Sequence, residues 1–165
     1  MNSFDYQDEL KKIIDRKQLV EVFLHGAPTY KVAYLLNAND DYLTLAEVSS
    51  EATFSGVVLC RMDDVDWIST DSIYTQELSK QIKDESIYQQ ALKNIKNIKK
   101  FTPSGFIKAF EGTNSIIELT DEEENTFAGR IIGHGEKHIL LDEYYSEYEQ
   151  RFARKYINVV GIIRM

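Results

Sequence analysis

The stretch LVEV at residues 19–22 decides the fold of this chain, because the same pattern returns as IIEL at residues 116–119. The shift of 97 residues continues without a gap into the next apolar run, so that VAYLL at 32–36 falls on GRIIG at 129–133. Glu21 and Glu118 are among the few identities, and what recurs is the apolar pattern. A recurring pattern of this kind indicates one small fold used twice.

The first unit has the pattern of one helix followed by five short strands. Helical apolar spacing covers residues 4–16, and Ser3 is placed to cap that helix. Runs typical of strands, separated by turn-forming residues, lie at 19–24, 31–37, 42–48, 54–61 and 65–69. Five strands of about six residues are enough to close a small barrel.

The second unit is predicted to repeat this order, with its helix at 105–110 and its strands at 115–120, 126–132, 138–145, 152–156 and 159–164. Residues 71–100 form a polar, helix-favouring segment with apolar stripes, which we expect to dock on the barrels as a linker. The predicted fold class is therefore mainly β with α: two small five-stranded barrels, each with a short N-terminal helix, joined by a helical linker. The predicted domains are 1–70, 71–100 and 101–165.

Two stretches resemble motifs of the Sm-like (LSM) family of SH3-like small barrels. GRIIGHGEKHILL at 129–141 is similar to the first motif, in which a bent strand leads through a short loop into the next strand. RMDDV at 61–65 resembles the second motif, which carries an arginine and a glycine before the last strand. The pattern also resembles tandem-barrel proteins of low-GC Gram-positive bacteria. The resemblance implies two Sm-like barrels in one chain.

The RNA pocket that the resemblance implies is incomplete. In RNA-binding members of the family, an Asp and an Asn after the second strand hold a flipped-out base. Gly135 and Ile139 stand at those places in the second unit, and Asn39 and Leu43 in the first. The arginine that contacts RNA is retained as Arg61, but Met62 replaces the glycine that follows it. We therefore expect the family's fold without its complete ligand site.

The composition is that of a soluble globular protein, with 43% hydrophobic and 28% charged residues in a chain of 165. Acidic residues outnumber basic ones 27 to 19, and the net charge of −8 lowers the expectation of binding to nucleic acids or anionic membranes. The N-terminus lacks the pattern of a signal peptide, and no apolar run has the length of a membrane span. With a single cysteine as well, the chain is predicted to be cytoplasmic.

Sequence motifs for catalysis are missing. The chain has no Gly-x-Ser-x-Gly elbow, no glycine loop for phosphates and no dinucleotide fingerprint. Cys60 lies in a predicted strand, where a cysteine packs as a small apolar group rather than acting as a nucleophile. We therefore predict neither an enzymatic activity nor a cofactor.

Two histidines, His134 and His138, flank a predicted turn. With Glu136 or Asp142 they would outline a metal site, because imidazole and carboxylate groups suit zinc. We favour the alternative of exposed loop histidines, since no defined ligand spacing accompanies them, and assign no metal. The acidic stretch at 121–125 is predicted to be a solvated turn, with a docking spot for a protein as the alternative.

Basic residues support an alternative function in RNA binding. The candidate contacts are Arg61, Arg130 and four lysines of one polar run: Lys93, Lys96, Lys99 and Lys100. Lys108 lies beyond this run. These lysines would either meet phosphates or offset the acidic barrels within the chain, and we favour the second interpretation.

Aromatic residues supply the candidates for a protein interface. Tyr144, Tyr145 and Tyr148 crowd the second unit, and tyrosines are common interface anchors. Trp67 is predicted to pack in the core of the first barrel. We predict a non-enzymatic, cytoplasmic binding or regulatory module, monomeric or homodimeric, that serves a protein partner. The alternative is an Sm-like RNA-binding protein.

Overall fold

The computed structural model describes residues 5–82, 86–120, 125–136, 138–144, 152–158 and 163–164. The chain divides into two compact units, Met1–Lys96 and Asn97–Met165. Both units combine helices with antiparallel strands, so the fold is mixed α/β. No helix in the described part of the chain is long and apolar enough to cross a membrane.

The described part of the first unit contains three α-helices, a short 3-10 helix at Met62–Asp64 and a five-stranded antiparallel sheet. The order of the strands across this sheet is β5-β1-β2-β3-β4. The elements, in chain order, are α1 (Tyr6–Asp15), β1 (Leu19–Leu24), β2 (Lys31–Ala38), β3 (Tyr42–Val48), β4 (Phe54–Arg61), β5 (Val65–Thr70), α2 (Ile73–Gln81) and α3 (Ser86–Ile95).

Capping side chains fix where these helices begin. Asp5 caps α1, and its Oδ1 accepts hydrogen bonds from the backbone N–H groups of Gln7 at 3.0 Å and Asp8 at 3.4 Å. The predicted cap, Ser3, lies outside the described residues. Ser72 caps α2 by accepting from the N–H of Thr75.

Helices α2 and α3 cover one face of the first sheet. Leu78 of α2 and Ile87 of α3 pack in one buried cluster with Leu19 and Val32 of the sheet. Val20 follows Leu19 and points to the opposite face, and it is fully buried as well. A sheet buried on both faces explains why its strands read as almost continuous apolar runs.

The second unit begins with α4 (Pro103–Phe110), which Thr102 caps and which carries Pro103 in its first turn. Its strands pair antiparallel in the order β10-β6-β7-β8-β9. Their bounds are β6 (Ile117–Thr120), β7 (Thr126–His134), β8 (His138–Tyr144), β9 (Phe152–Asn158) and β10 (Ile163–Arg164).

The predicted pair of closed five-stranded barrels joined by a helical linker is wrong. Among the described strands β5 pairs with β1, β4 pairs with β3, and no pairing joins β4 to β5, so the sheet of the first unit stays open. The same holds for β9 and β10 in the second unit. In a closed barrel the apolar face of the sheet is buried inside the barrel. Here α2 and α3 pack on that face and bury it instead. These helices belong to the first unit, and the predicted domain boundaries stay a prediction.

The ungapped shift of 97 residues is also wrong beyond the first strand. Val20 pairs with Ala33, and 97 residues later Ile117 pairs with Gly129, which is only 96 residues after Ala33. The irregularity between Leu35 and Asn37 in β2 likewise falls 96 residues before the one in β7. Relative to β1 and β2, the chain from β6 to β7 is therefore one residue shorter. The duplication itself stays a prediction.

Candidate functional site

Four aromatic side chains of the first unit contact one another and form what we call the aromatic patch: Phe23, Tyr30, Trp67 and Tyr74. The rings of Phe23 and Trp67 stack with their centroids 4.5 Å apart. Phe23 lies 5.1 Å from Tyr30, and Tyr30 meets Tyr74 edge-on at 6.2 Å. These distances are typical of favourable aromatic pairs.

The sheet and the start of α2 position this patch. Phe23 of β1 and Trp67 of β5 are direct cross-strand partners, so their side chains lie on the same face of the sheet. Asp71 adopts a left-handed conformation (φ 58°) between β5 and α2, and its Oδ1 accepts from Gln18 Nε2 at 3.1 Å. The resulting turn places Tyr74, in the first turn of α2, against Tyr30.

The patch is open to solvent. Trp67 is 56% exposed, Tyr74 40% and Tyr30 37%, and Ile73 beside Tyr74 is 82% exposed. The prediction that Trp67 packs in the core is wrong. The helices cover Leu19, but they leave the end of the same sheet face at Phe23 and Trp67 uncovered. A contiguous apolar patch of this kind marks an interaction site more often than scattered apolar residues do.

Acidic residues lie close to the patch residues in the sequence. Asp66 precedes Trp67, with its Oδ1 3.4 Å from His25 Nδ1. Glu21 is almost fully buried, and its Oε1 accepts a hydrogen bond of 2.6 Å from the Ser72 hydroxyl. Desolvation, followed by the charge of Glu21, raises the pKa of the Tyr30 hydroxyl above its usual value of 10.0.

The predicted interface tyrosines belong to the second unit, whereas the aromatic patch belongs to the first. Tyr144 ends β8, where its backbone pairs with Phe152. Tyr145 and Tyr148 lie outside the described residues, as does most of the acidic stretch at 121–125. Sequence reasoning missed the aromatic patch, although a partial signal was available: Phe23 and Tyr30 adjoin predicted strand ends, and Trp67 lies in the predicted strand 65–69.

The predicted RNA-binding residues are divided between the two units. Arg61 ends β4, and its Nε lies 3.4 Å from Asp64 Oδ2, so an acidic neighbour offsets its charge. Arg130 lies in β7 of the second unit, directly opposite Asp142 in the strand pairing. Lys93 belongs to α3, and Lys96 follows it as the last residue of the first unit.

Lys99 and Lys100 do lie together, in a cavity of the second unit that we call the lysine pocket. Its volume is about 380 Å³, and its lining includes Asn97, Lys99, Lys100, Ser104, Gly105 and Lys108. Gly105 permits this arrangement, because a Cβ there would lie 1.9 Å from the carbonyl oxygen of Lys100. The close approach holds the segment before α4 against the first turn of that helix.

His134 and His138 border a shallow cavity with Gly133, Gly135 and Leu140. The nearest partner of His134 is Glu111, whose Oε2 lies 2.6 Å from the Nδ1 of the histidine. No group of three or more His, Cys, Asp or Glu side chains in the described ranges is arranged to hold a metal ion. The two histidines thus border one cavity without forming a metal centre in this part of the chain.

Cys60 is fully buried in β4, which confirms that it packs as a small apolar group. Its Sγ donates to the carbonyl oxygen of Leu43 at 3.6 Å. Burial, followed by the charge of Asp64, raises the pKa of the thiol to about 12. A thiol with such a pKa is protonated at physiological pH and is therefore a poor nucleophile.

The raised pKa of Cys60 predicts an alkaline loss of stability. The thiol has a pKa near 9.0 in the unfolded chain and near 12 in the folded protein. Its contribution to the free energy of unfolding is therefore complete below pH 9 and is lost as the pH rises toward 12. The slope approaches about 1.4 kcal/mol per pH unit. Urea unfolding from pH 7 to 11 should show the free energies of wild type and Cys60→Ala converging at high pH. Parallel profiles would refute the assignment.

Comparisons with protein-family models, curated proteins and solved structures gave no match to this chain. The resemblance to the Sm-like family therefore stays a prediction. Since a fold alone does not determine a function, function is inferred from the chemistry of the aromatic patch and of the lysine pocket.

Proposed function

We propose that this chain is a non-enzymatic binding module whose aromatic patch holds a protein partner. One observation carries the proposal: four rings contact one another in series on an open face, with Trp67 56% exposed at one end. Trp and Tyr are the residue types that most often dominate the energy of protein interfaces.

The patch is organised before any partner arrives. Phe23 is stacked under Trp67, and Tyr30 is held between Phe23 and Tyr74. Rings that already contact each other lose little side-chain freedom on binding, whereas ordering a free side chain costs about 0.5–1.5 kcal/mol. Burial of the same rings by a partner then contributes mainly favourable hydrophobic energy.

The charges around the patch select the class of partner. Asp66 and Asp71 adjoin it, and Lys31, next to Tyr30, pairs with Glu47 at 3.5 Å. Acidic neighbours disfavour phosphates and attract Lys and Arg. The occupant that fits is a protein segment with an apolar anchor beside a basic side chain, whose cation can also lie over the face of Trp67.

RNA binding stays the second candidate. The lysine pocket favours it, because Lys99 and Lys100 are two of the predicted contacts. The ion pair of Arg61 with Asp64 and the net charge of −8 favour the protein partner instead. We further propose that the module works in the cytoplasm and that its two units arose by duplication, which the matching irregularities of β2 and β7 support.

Photo-crosslinking in cells that express the chain tests the protein partner. With p-benzoylphenylalanine in place of Ile73, we expect ultraviolet light to yield a covalent product with a protein. Trp67→Ala in the same chain should abolish that product. The probe placed at Leu92, which is 36% exposed on α3, is the control and should not yield the product. Crosslinks to RNA from position 73, or a protein product that persists with Trp67→Ala, would contradict the proposal.

A further inference from the structure

We infer that the lysine pocket binds a small soluble phosphate ester. Three lysines, Lys99, Lys100 and Lys108, line one cavity of about 380 Å³. Pockets for small molecules usually measure about 300–1,000 Å³. The described lining of this site belongs to the second unit, whereas the residues of the aromatic patch belong to the first.

The charge of the pocket is opposite to that of the chain. Acidic residues outnumber basic ones 27 to 19 in the sequence, yet the described lining residues include three lysines and no carboxylate. Within the part of the chain that the structure describes, no ion pair involves Lys99, Lys100 or Lys108. Like charges that share a cavity repel one another, and a bound anion removes that repulsion.

The backbone positions the three lysine residues around the cavity. Ser104 and Lys108 are four residues apart on α4 and therefore lie on one side of that helix. Gly105, on the same side, allows the carbonyl of Lys100 to approach within a distance that any Cβ would block. The lysines before the helix and the lysine on it are thus held on two walls of one cavity.

The other lining groups suit an ester of phosphate rather than bare phosphate. Asn97 and Ser104 add an amide and a hydroxyl, which bind the hydroxyl groups of a small organic ligand as well as phosphate oxygens. The amino end of α4 adds a favourable partial charge for an anion. A single phosphate leaves much of a cavity of about 380 Å³ empty, so an organic part of the ligand has room.

Titration of the full chain with glycerol 3-phosphate, followed by ¹H–¹⁵N NMR spectroscopy, tests this site. We expect saturable shifts confined to the amides of residues 97–109. Joint replacement of Lys99, Lys100 and Lys108 by Gln should weaken binding by at least about tenfold. The matched control replaces Lys11, Lys93 and Lys96, which are exposed and outside the pocket, and should change the affinity less than about twofold.

Two further probes distinguish the sources of phosphate. Vesicles of phosphatidylglycerol and a single-stranded RNA are added to the labelled chain, with circular dichroism confirming that each variant is folded. The inference is overturned if glycerol 3-phosphate gives no saturable shifts or if the control triple variant weakens binding as much as the pocket variant. It is equally overturned if only vesicles or only RNA bind.

Discussion

Gly129→Ala is expected to lower the free energy of unfolding by about 3 kcal/mol, at the upper end of the range for overpacked sites. A Cβ at Gly129 would lie 2.1 Å from the carbonyl oxygen of Asp142 and 2.9 Å from the Cα of Glu143. Both neighbours are backbone atoms of β8, so relief requires the two paired strands to separate. Urea unfolding followed by circular dichroism measures the loss.

Gly133→Ala is the matched control for this prediction, because it makes the same chemical change in the same strand. The nearest atom to its added Cβ is Glu111 Oε1 at 3.8 Å, an ordinary contact distance. We expect this variant to unfold within about 0.5 kcal/mol of wild type, as surface substitutions usually do. Equal losses at the two glycines would show that close packing of β7 on β8 is not the cause.

Trp67→Ala is expected to weaken the binding of the protein partner by about 30-fold or more, which corresponds to about 2 kcal/mol for a dominant interface residue. The substitution removes an exposed ring that stacks on Phe23, so the partner loses its largest contact and finds the patch less ordered. Isothermal titration calorimetry with the crosslinked partner, once purified, measures the change.

Two control variants separate the patch from general effects on this chain. Trp67→Phe keeps a ring that can stack on Phe23 and should retain most of the affinity. Leu92→Ala removes an apolar side chain that is also exposed, but from α3, and should leave the affinity unchanged. A comparable loss in Leu92→Ala would place the interface elsewhere.

Local sequence pattern was sufficient to locate most strands. The predicted bounds of β1, β3 and β4 are confirmed at both ends, because apolar runs broken by turn residues are a local property of the chain. The first helix was also located, but its cap is Asp5, a residue that the prediction placed inside the helix. An error of two residues is normal at a helix end.

Closure of the sheets could not be predicted from the same pattern. Strands whose apolar face is buried inside a barrel have the same apolar pattern as strands whose apolar face packs against a helix. The pattern therefore does not distinguish a closed sheet from an open one. Leu78 and Ile87 were recognised as members of helical stripes, yet only the packed structure shows that they cover Leu19 and Val32. The assumption of closure then placed Trp67 in a core.

The aromatic patch depends on a contact between distant parts of the chain. Phe23 and Trp67 are 44 positions apart in the sequence, and their contact follows from the pairing of β1 with β5. The lysine pocket was partly predicted, since Lys99 and Lys100 stood out in a basic run with Lys108 beyond it. Lys108 joins them because Gly105 allows a close approach, and a backbone contact of this kind leaves little trace in composition.

Occupation of the aromatic patch by the partner can be measured at Trp67, the only tryptophan in the sequence. A chain labelled with 5-fluorotryptophan gives one ¹⁹F signal, whose solvent isotope shift reports contact with water. We expect that shift to be large in the free chain and to fall by at least about half when the partner binds, because a dominant interface residue becomes desolvated. An unchanged signal in the fully bound complex would contradict the proposal that this patch is the binding surface.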